Sequence, residues 1–235
     1  MYMKEFMFIM MTMAIFTSFS CSNGNEKMDA EKDAGKSAVS VVWNIDNFTS
    51  IAGYTTTVLG SPQLIETPKG KAVEFDGVQD ALIVDKHPLE GVSTFTLEVI
   101  FRPDAGGLPE QRFFHLQEND SENRILIETR LTDDNQWFLD TYIKSNETDQ
   151  TLIDETFTHP VGEWYNATLV FDGREMRHYV NGTRELSAEI LSFTPPKEGK
   201  TSIGVRINQV YWFKGALQKA RFTKGVLTPE EFLKP

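Results

Sequence analysis

The chain has 235 residues, of which 40% are hydrophobic, and this is enough to bury one sizeable core. The length fits one all-β domain as well as two smaller domains, because sandwiches often run to about 200–250 residues as a single unit. The 34 acidic and 23 basic residues give a formal net charge of −11. A chain of this charge repels phosphate backbones, so we expect no nucleic-acid partner.

The first 20 residues are typical of an export signal. Lys4 gives a minimal positive region, and the apolar run from Phe6 to Phe16 is too short to span a membrane. The only cysteine, Cys21, directly follows Ser18-Phe19-Ser20. This segment resembles the lipobox of bacterial lipoproteins, in the looser form of the Bacteroidetes. The resemblance implies that Cys21 is lipidated after cleavage, and the alternative is an ordinary secretory signal beside an incidental cysteine.

Residues 21–37 are predicted to be a flexible tether. Met28 is the only large apolar residue between Ser22 and Ser37, and such a segment cannot bury enough surface to offset its ordering entropy. The expected organisation is a signal peptide at 1–20, a lipidated tether at 21–37 and one domain at 38–235. A single cysteine allows no disulfide within the chain. The expected location is the cell envelope, anchored by lipid to the outer membrane and facing the periplasm or the exterior.

From residue 38 onward, short strand-like runs alternate with turn signals. Phe95, Leu97, Val99 and Phe101 repeat with the period of two that a half-buried strand requires. Such runs, with turn residues about every 8–12 positions, predict a β-sandwich or barrel. The predicted strands are Val39–Trp43, Ala72–Phe75, Ala81–Val84, Phe95–Phe101, Arg112–Gln117, Arg124–Leu131, Trp137–Lys144, Leu152–Phe157, Ala167–Phe171, Met176–Val180, Thr201–Asn208 and Ala216–Thr223.

Two dipeptides predict tight hairpin turns, and the last residues predict a short helix. Asp172-Gly173 and Asn181-Gly182 tolerate the positive φ angles of such turns. Thr228 is a helix cap, followed by a proline in the first turn and by Glu231 three residues later. One or two helical turns are therefore expected there, with Phe232 and Leu233 packing back onto the domain.

The stretch from Trp164 to Gly182 resembles the most recognisable part of laminin-G-like domains. In that family a tryptophan opens a strand, "DG" turns it and "YVNG" ends the next strand, as at Trp164, Asp172-Gly173 and Tyr179–Gly182 here. The likeness extends over Val39 to Leu233, through Phe75-Asp76-Gly77 with Asp80, Phe95–Arg102, and Arg221-Phe222 to Phe232. It implies an all-β, concanavalin A-like jelly roll of two antiparallel sheets, in which Trp164 is expected to pack into the core.

Calcium is the one cofactor that the resemblance raises. The closing strand of the family often carries acidic residues that serve a calcium site, but Leu217–Ala220 here has none. Asp46, Asp76 and Asp80 remain as possible calcium ligands, although calcium usually needs at least two carboxylates in one place. Turn formation is the favoured interpretation of each, so no cofactor is expected.

The alternation along four strands predicts which side chains face outward. Residues of one parity suit the core and leave a second set for solvent or a ligand. The predicted core set is Phe114, Leu116, Ile125, Ile127, Leu131, Trp137, Leu139, Ile143, Ile203, Val205 and Ile207. The predicted outward set is Phe113, His115, Gln117, Glu128, Arg130, Asp140, Tyr142, Arg206 and Asn208, with Trp212 close behind.

The outward set is rich in planar hydrogen-bonding and aromatic groups, which sugars need. We therefore expect a lectin-like domain whose ligand-binding residues are His115, Gln117, Glu128, Arg130, Asp140, Tyr142, Arg206, Asn208 and Trp212. Arginines would grip carboxylate or hydroxyl groups, the acids would accept from hydroxyls, and Tyr142 or Trp212 would stack on a ring. Ordinary ion pairs on an exposed sheet are the alternative.

Two other functions stay open. A glycoside hydrolase or polysaccharide lyase would use Glu128 and Asp140 as its carboxylate pair and His115 as an acid or base. The laminarinase-type motif Glu-x-Asp-x-x-Glu is absent, and Leu126 stands where the lyase motif Arg-x-Glu-x-Arg has its first arginine. Recognition is therefore favoured over catalysis. A protein-binding adhesion module is the third possibility.

Overall fold

The computed structural model describes residues 39–235, and strands dominate this part of the chain. Their bounds are β1 Val39–Asn44, β2 Ser50–Ile51, β3 Tyr54–Leu59, β4 Gln63–Thr67, β5 Gly70–Asp76, β6 Ala81–Val84, β7 Phe95–Pro103, β8 Glu110–Glu118, β9 Arg124–Leu131, β10 Gln136–Ser145, β11 Thr148–Ile153, β12 His159–Pro160, β13 Tyr165–Phe171, β14 Glu175–Val180, β15 Thr183–Glu189, β16 Gly199–Ile203 and β17 Lys214–Lys224. A 3-10 turn at Pro229–Glu231 follows. The predicted signal peptide, Cys21 and the tether lie outside the described residues.

The strands form two antiparallel sheets, as the jelly-roll prediction requires. The first sheet has the order β15-β14-β13-β7-β17-β5-β4, with β1 also paired to β17. The second sheet has the order β11-β10-β9-β8-β16-β6-β3-β2, with β12 also paired to β10. The all-β sandwich of two antiparallel sheets is therefore confirmed. No helix in residues 39–235 is long and apolar enough to cross a membrane.

One face of each sheet supplies the core. Aromatic side chains of both sheets meet around Phe101 of β7, whose ring stacks on that of Phe113 at a centroid distance of 4.2 Å. Trp137 of β10 meets the same ring edge-on at 5.1 Å. Edge and offset contacts of this kind stabilise a core beyond the area that they bury. The alternation that predicted the core positions Ile125, Ile127 and Leu139 is confirmed by their burial.

The strand β8 departs from simple alternation because it contains a β-bulge. Arg112 pairs with Glu128, and Phe114 then pairs with Ile127, so Phe113 is the extra residue. Phe113 was predicted to face outward, but it is fully buried in the core beside Phe101. A bulge adds one residue to a strand and reverses the parity on one side of it. For this reason Arg112 faces outward instead.

Most predicted strands lie within two residues of the observed bounds, but two depart from them by four residues or more. The run predicted as Thr201–Asn208 stops at Ile203, and the residues after Gly204 form a loop across the second sheet. Ile207 is consequently half-buried in this loop rather than in the core. The run predicted as Leu152–Phe157 begins earlier, at Thr148, and ends at Ile153.

The predicted turns and the C-terminal cap are present. Asn181 and Gly182 both have positive φ, at 50° and 84°, which is the geometry of a type I′ hairpin turn. The Thr228 N–H donates to Glu231 at 2.8 Å within a capping box. The expected helix is only the 3-10 turn Pro229–Glu231, after which Phe232 packs edge-on against Tyr179 at 5.2 Å.

Trp164, which was predicted to be a core residue, lies instead at the surface. It is half-buried on the outer side of the first sheet, and the Arg102 guanidinium lies 5.7 Å from its ring centroid. The core beneath this region is supplied by Tyr165, which is 4% exposed. Trp164 precedes β13, so the family motif is present but its tryptophan does not fill the interior.

Candidate functional site

The outer face of the second sheet aligns polar residues of four strands in rows. Arg112 of β8, Glu128 of β9 and Asp140 of β10 are direct cross-strand neighbours. The next row along the sheet contains Leu126, Tyr142 and Thr151. Side chains of cross-strand neighbours are about 5 Å apart at Cβ, so these groups contact one another.

These rows and the loop after β16 enclose a depression of about 240 Å³. We call it the arginine depression, and it is lined by Arg112, Arg124, Leu126, Glu128, Arg130, Asp140, Tyr142, Thr151 and Arg206. Five of the nine predicted ligand-binding residues meet there, namely Glu128, Arg130, Asp140, Tyr142 and Arg206.

Arg130 connects three carboxylates at one end of the depression. Its Nε and Nη2 donate to Asp140 Oδ2 at 2.8 and 2.6 Å. Its Nη1 lies 2.7 Å from Glu110 Oε2, and its Nη2 lies 3.9 Å from Glu128 Oε2. Asp140 Oδ1 is buried and has no hydrogen-bond partner among residues 39–235, so it can still accept a hydrogen bond from a ligand.

Arg112 lies between Tyr211 and two carboxylates. Its guanidinium carbon is 3.8 Å from the Tyr211 ring centroid, a close cation–π contact. It also pairs with Glu110, and its Nε is 2.9 Å from Glu128 Oε2. This last pair is close enough for Coulomb attraction, but its N–H does not point at the oxygen. Both atoms therefore remain without a hydrogen bond in the described part of the chain.

Arg124 and Arg206 lie at the other end of the depression, near Tyr142. The Arg124 guanidinium carbon is 4.9 Å from the Tyr142 ring centroid, and Nη1 donates to the backbone oxygen of Glu122 at 2.8 Å. Arg206 is carried by the loop after β16, and its backbone N–H donates to the Val210 carbonyl at 3.2 Å. Within residues 39–235, no carboxylate lies within 4.0 Å of the Arg206 side chain.

Burial shifts the pKa of both carboxyl groups in the central row. Desolvation, assisted by the charge of Asp140, raises the pKa of Glu128 to about 8 despite the nearby Arg112 and Arg130. Desolvation also raises the pKa of Asp140, and its hydrogen bond from Arg130 opposes the shift. Glu128 is therefore mostly protonated at neutral pH and can donate a hydrogen bond as well as accept one.

His115 was predicted to face a ligand, but it is completely buried beneath the loop that carries Arg206. Its Nδ1 accepts a hydrogen bond from the Ile207 N–H at 3.0 Å. Desolvation lowers the pKa of His115 to about 3, and the positive charges of Arg206, Arg124 and Arg112 act in the same direction. The imidazole is therefore neutral and supports the loop from below. It cannot serve as the acid or base of the enzyme hypothesis without loop movement.

Three other predicted ligand residues lie outside the depression. Gln117 donates its side-chain amide to the Ser121 carbonyl at 2.7 Å, which stabilises the turn after β8. Asn208 is exposed in the loop, and Trp212 is half-buried beyond it. Asn208 was assigned by continuing the alternation of β16 past Ile203, where the strand has already ended, and Trp212 by its position close behind. Tyr211, next to Trp212, is the aromatic residue of this loop that packs against Arg112.

Four lining residues were missed by the sequence analysis. Arg124 and Leu126 share the parity of Glu128 on a correctly predicted strand, so the signal for them was present. Thr151 lay just outside the predicted bounds of its strand. Arg112 was hidden by the bulge, which no sequence pattern here marks.

The three calcium candidates accept hydrogen bonds from nearby groups of the protein, and Asp76 and Asp80 hold turns in this way. Asp76 Oδ1 accepts from the N–H groups of Val78, Gln79 and Asp80 at 2.8–3.1 Å. Asp80 Oδ1 accepts from the Ser61 N–H at 2.7 Å, and Asp46 Oδ1 accepts from the Asn47 amide at 3.0 Å. Residues 39–235 contain no group of three or more His, Cys, Asp or Glu side chains placed to hold a metal ion.

Solved structures share this architecture at low sequence identity. Domain 4 of AbnA, a GH43 extracellular arabinanase from Geobacillus stearothermophilus, solved in complex with arabinotriose, is 16% identical with a TM-score of 0.64. That match covers 83% of this chain and 97% of the other. The binding domain of Paraclostridial Mosquitocidal Protein 1 is 14% identical with a TM-score of 0.60, over 81% of this chain and 49% of that one.

The botulinum neurotoxin serotype D binding domain is 13% identical with a TM-score of 0.59, and 82% of this chain matches 50% of it. The chain thus spans about half the length of these toxin binding domains.

No curated protein matches the chain in sequence. The model of the Laminin_G_3 family, described as the concanavalin A-like lectin/glucanases superfamily, matches residues 76–232. The chain belongs to this family.

Proposed function

We propose that the protein is a glycan-binding module and that the arginine depression is its binding site. The observation that carries the proposal is the convergence of guanidinium, carboxyl, phenol and hydroxyl groups on one open surface of the second sheet. Several of their buried polar atoms have no partner within residues 39–235, including Asp140 Oδ1 and Glu128 Oε2. Sugar hydroxyls can satisfy both donors and acceptors of this kind. The arabinotriose complex of the AbnA domain supports the proposal, because that domain has the same fold.

The contacts within the depression assign different tasks to its residues. Arg112 and Arg130 are held by Glu110, Glu128 and Asp140, so they fix the geometry of the floor. The remaining acceptor atoms of the two buried acids receive hydrogen bonds from hydroxyl groups. Tyr142 and Thr151 contact the sugar beside Leu126, which supplies the apolar patch that a ring face needs.

A glycan array probed with the full-length protein and its Tyr142→Ala variant tests this function. We expect the wild type to bind and Tyr142→Ala to bind about tenfold more weakly, a loss of about 1.4 kcal/mol. Tyr54→Ala is the matched control, because Tyr54 lies on β3, away from the depression, and should bind like the wild type. Binding to no glycan would overturn the proposal and favour the adhesion module.

Glycan cleavage is a second candidate, favoured by one observation. Glu128 holds its proton near neutral pH and lies across from Asp140, which suits a general acid next to a second carboxyl group. The arginine contacts of both acids and the burial of His115 favour binding over turnover. Released sugars should be assayed for the wild type and Glu128→Gln. Turnover that Glu128→Gln abolishes while binding persists would establish the enzyme.

We further propose that the protein is attached to the outer membrane of the cell envelope through lipid on Cys21. The support is the position of this single cysteine after the apolar run of the export signal. Metabolic labelling with an alkyne-bearing fatty acid should label the wild type and leave Cys21→Ser unlabelled. Equal labelling of both, or of neither, would contradict the anchor.

A further inference from the structure

The arginine depression has a different charge from the rest of the protein. Four arginines and two carboxylates line it, whereas the whole chain has a net charge of −11. Guanidinium groups at such short range repel one another unless negative groups compensate them. Each positive charge therefore needs a negative group, either in the protein itself or on a ligand.

Two of the four arginines, Arg112 and Arg130, are compensated by the carboxylates of Asp140 and Glu110. Arg130 donates twice to Asp140, which is 2% exposed. Glu110 pairs with both Arg112 and Arg130, and Tyr211 covers Arg112 on one side, whereas the protonated Glu128 adds no negative charge. These side chains are at most 29% exposed, so water screens their charges less than it screens those of a surface pair.

Arg124 and Arg206 are not compensated in this way. The carboxylate nearest to Arg124 belongs to Glu122, at 3.0 Å, and the Glu122 side chain is 72% exposed, so water screens the pair. Arg206 has no carboxylate within 4.0 Å in the described part of the chain. Both side chains line the depression near Tyr142, and the positive charge of each opposes the rise that burial causes in the pKa of Tyr142. Arg124 Nε is buried there without a hydrogen-bond partner among residues 39–235.

We infer that Arg124 and Arg206 bind the anionic group of an acidic sugar residue, a carboxylate or a sulfate, within the glycan that the arginine depression holds. This inference rests on the proposed function and narrows its ligand class. A guanidinium offers two parallel N–H groups to a pair of anionic oxygens, and a neutral hydroxyl can satisfy only one. The carboxyl groups of Asp140 and Glu128, at the opposite end, are left for the neutral hydroxyls of the same glycan.

The test is a paired array probed with the full-length protein. Oligosaccharides of galacturonate, mannuronate and glucuronate are each printed beside their carboxyl-reduced neutral forms, and sulfated neutral oligosaccharides beside their desulfated forms. Wild-type protein should bind the charged member of at least one pair at least tenfold more tightly than its neutral partner. The carboxylate and sulfate arms identify which anion is preferred. Sodium chloride at 0.5 M should reduce this preference, because salt screens the ion pair.

Three variants separate the site from general charge effects. Arg206→Gln and Arg124→Gln each remove one positive charge from the depression, and each should weaken binding of the charged member about tenfold. Arg184→Gln removes the same charge from an exposed position on β15 in the other sheet and should change binding less than twofold. Arg206 is in a loop, so its replacement leaves the sandwich intact even if Arg124→Gln fails to fold.

The outcomes distinguish the inference from the proposed function. Equal binding of charged and neutral partners, or loss of binding in Arg184→Gln as large as in Arg206→Gln, would overturn the anionic ligand while glycan binding stands. Binding to no member of any pair would overturn both. Selective binding of a charged member that depends on Arg206 and not on Arg184 would establish the inference.

Discussion

Glu128 is 2% exposed and lies among Arg112, Arg130, Glu110 and Asp140, and the free energy of its ionisation depends on all four. Its pKa is raised from 4.5 to about 8, so the folded protein keeps this proton over a range in which the unfolded chain has lost it. The folded state then binds more protons than the unfolded state between about pH 4.5 and 8. Stability from this group is therefore present at low pH and is lost as pH rises through that window.

Glu128→Gln should remove this pH dependence, because glutamine stays neutral. We expect the stability of Glu128→Gln relative to the wild type to improve steadily from pH 5 to pH 8. Urea unfolding of both proteins at matched pH values measures the difference. A difference in unfolding free energy that stays constant across this range would show that Arg112 and Arg130 keep Glu128 ionised.

At the scale of elements, Gly204 determines where the second sheet ends and where the Arg206 loop begins. Its φ is +88°, and its N–H donates to the Phe113 carbonyl at 3.0 Å. A Cβ atom at this position would lie 2.6 Å from Phe75 Cδ1, inside the core. Only glycine fits both the backbone angle and the close approach.

Gly204→Ala should therefore destabilise the protein by about 2–5 kcal/mol, the sum of backbone strain and overpacking. Gly91→Ala is the matched control, because Gly91 has a similar φ of +71° and a new Cβ would have no atom within 4 Å. It should cost only about 1 kcal/mol. Thermal unfolding compares the two variants, and equal losses would contradict the role assigned to the contact with Phe75.

The elements also show how far the sequence predicts this protein. β9 and β6 have the predicted bounds, because each contains a short apolar run that is bounded by polar turn-forming residues. Five strands were not predicted, namely β2, β3, β4, β12 and β15. The longer three, β3, β4 and β15, lie at or next to a sheet edge, and their residues are largely exposed, so no buried face marks them in the sequence. The predicted residues Glu128, Arg130, Asp140 and Tyr142 of β9 and β10 all line the depression, whereas Arg124 and Leu126 of β9 were missed. Errors began where a bulge or a loop interrupted the period of two, at Phe113 and after Ile203.

The whole molecule contains three buried histidines that should make it sensitive to acid. Burial lowers the pKa of His87 to about 4, and of His115 and His178 to about 3. Thr141 Oγ1 is 3.1 Å from His178 Nδ1, whereas Glu185 lies 3.7 Å from its Nε2, beyond hydrogen-bond distance. The unfolded chain binds these protons below about pH 6.5 and the folded chain does not. Stability is therefore lost as pH falls from 6.5 towards 4.

We expect the unfolding free energy to decrease by up to about 1.4 kcal/mol per pH unit for each histidine in this window. Above pH 4.5 the proton that Glu128 keeps in the folded state offsets one of these three histidine protons. The net slope of the unfolding free energy against pH should therefore correspond to about two protons. Urea unfolding at pH 7, 6, 5 and 4.5 measures the slope. A flat profile would show that these imidazoles are protonated in the folded protein.

The position of β17 in its sheet affects when the chain can fold during its synthesis. This strand is the last in the described chain, yet it lies in the middle of its sheet, between β7 on one side and β1 and β5 on the other. A nascent polypeptide emerges from the ribosome in sequence order, so its first strands must wait for partners that are synthesised almost last. A chain with this topology would stay unfolded until nearly all of it has been translated. If such a chain is exported, it can pass through a narrow secretion channel, which admits only unfolded polypeptides.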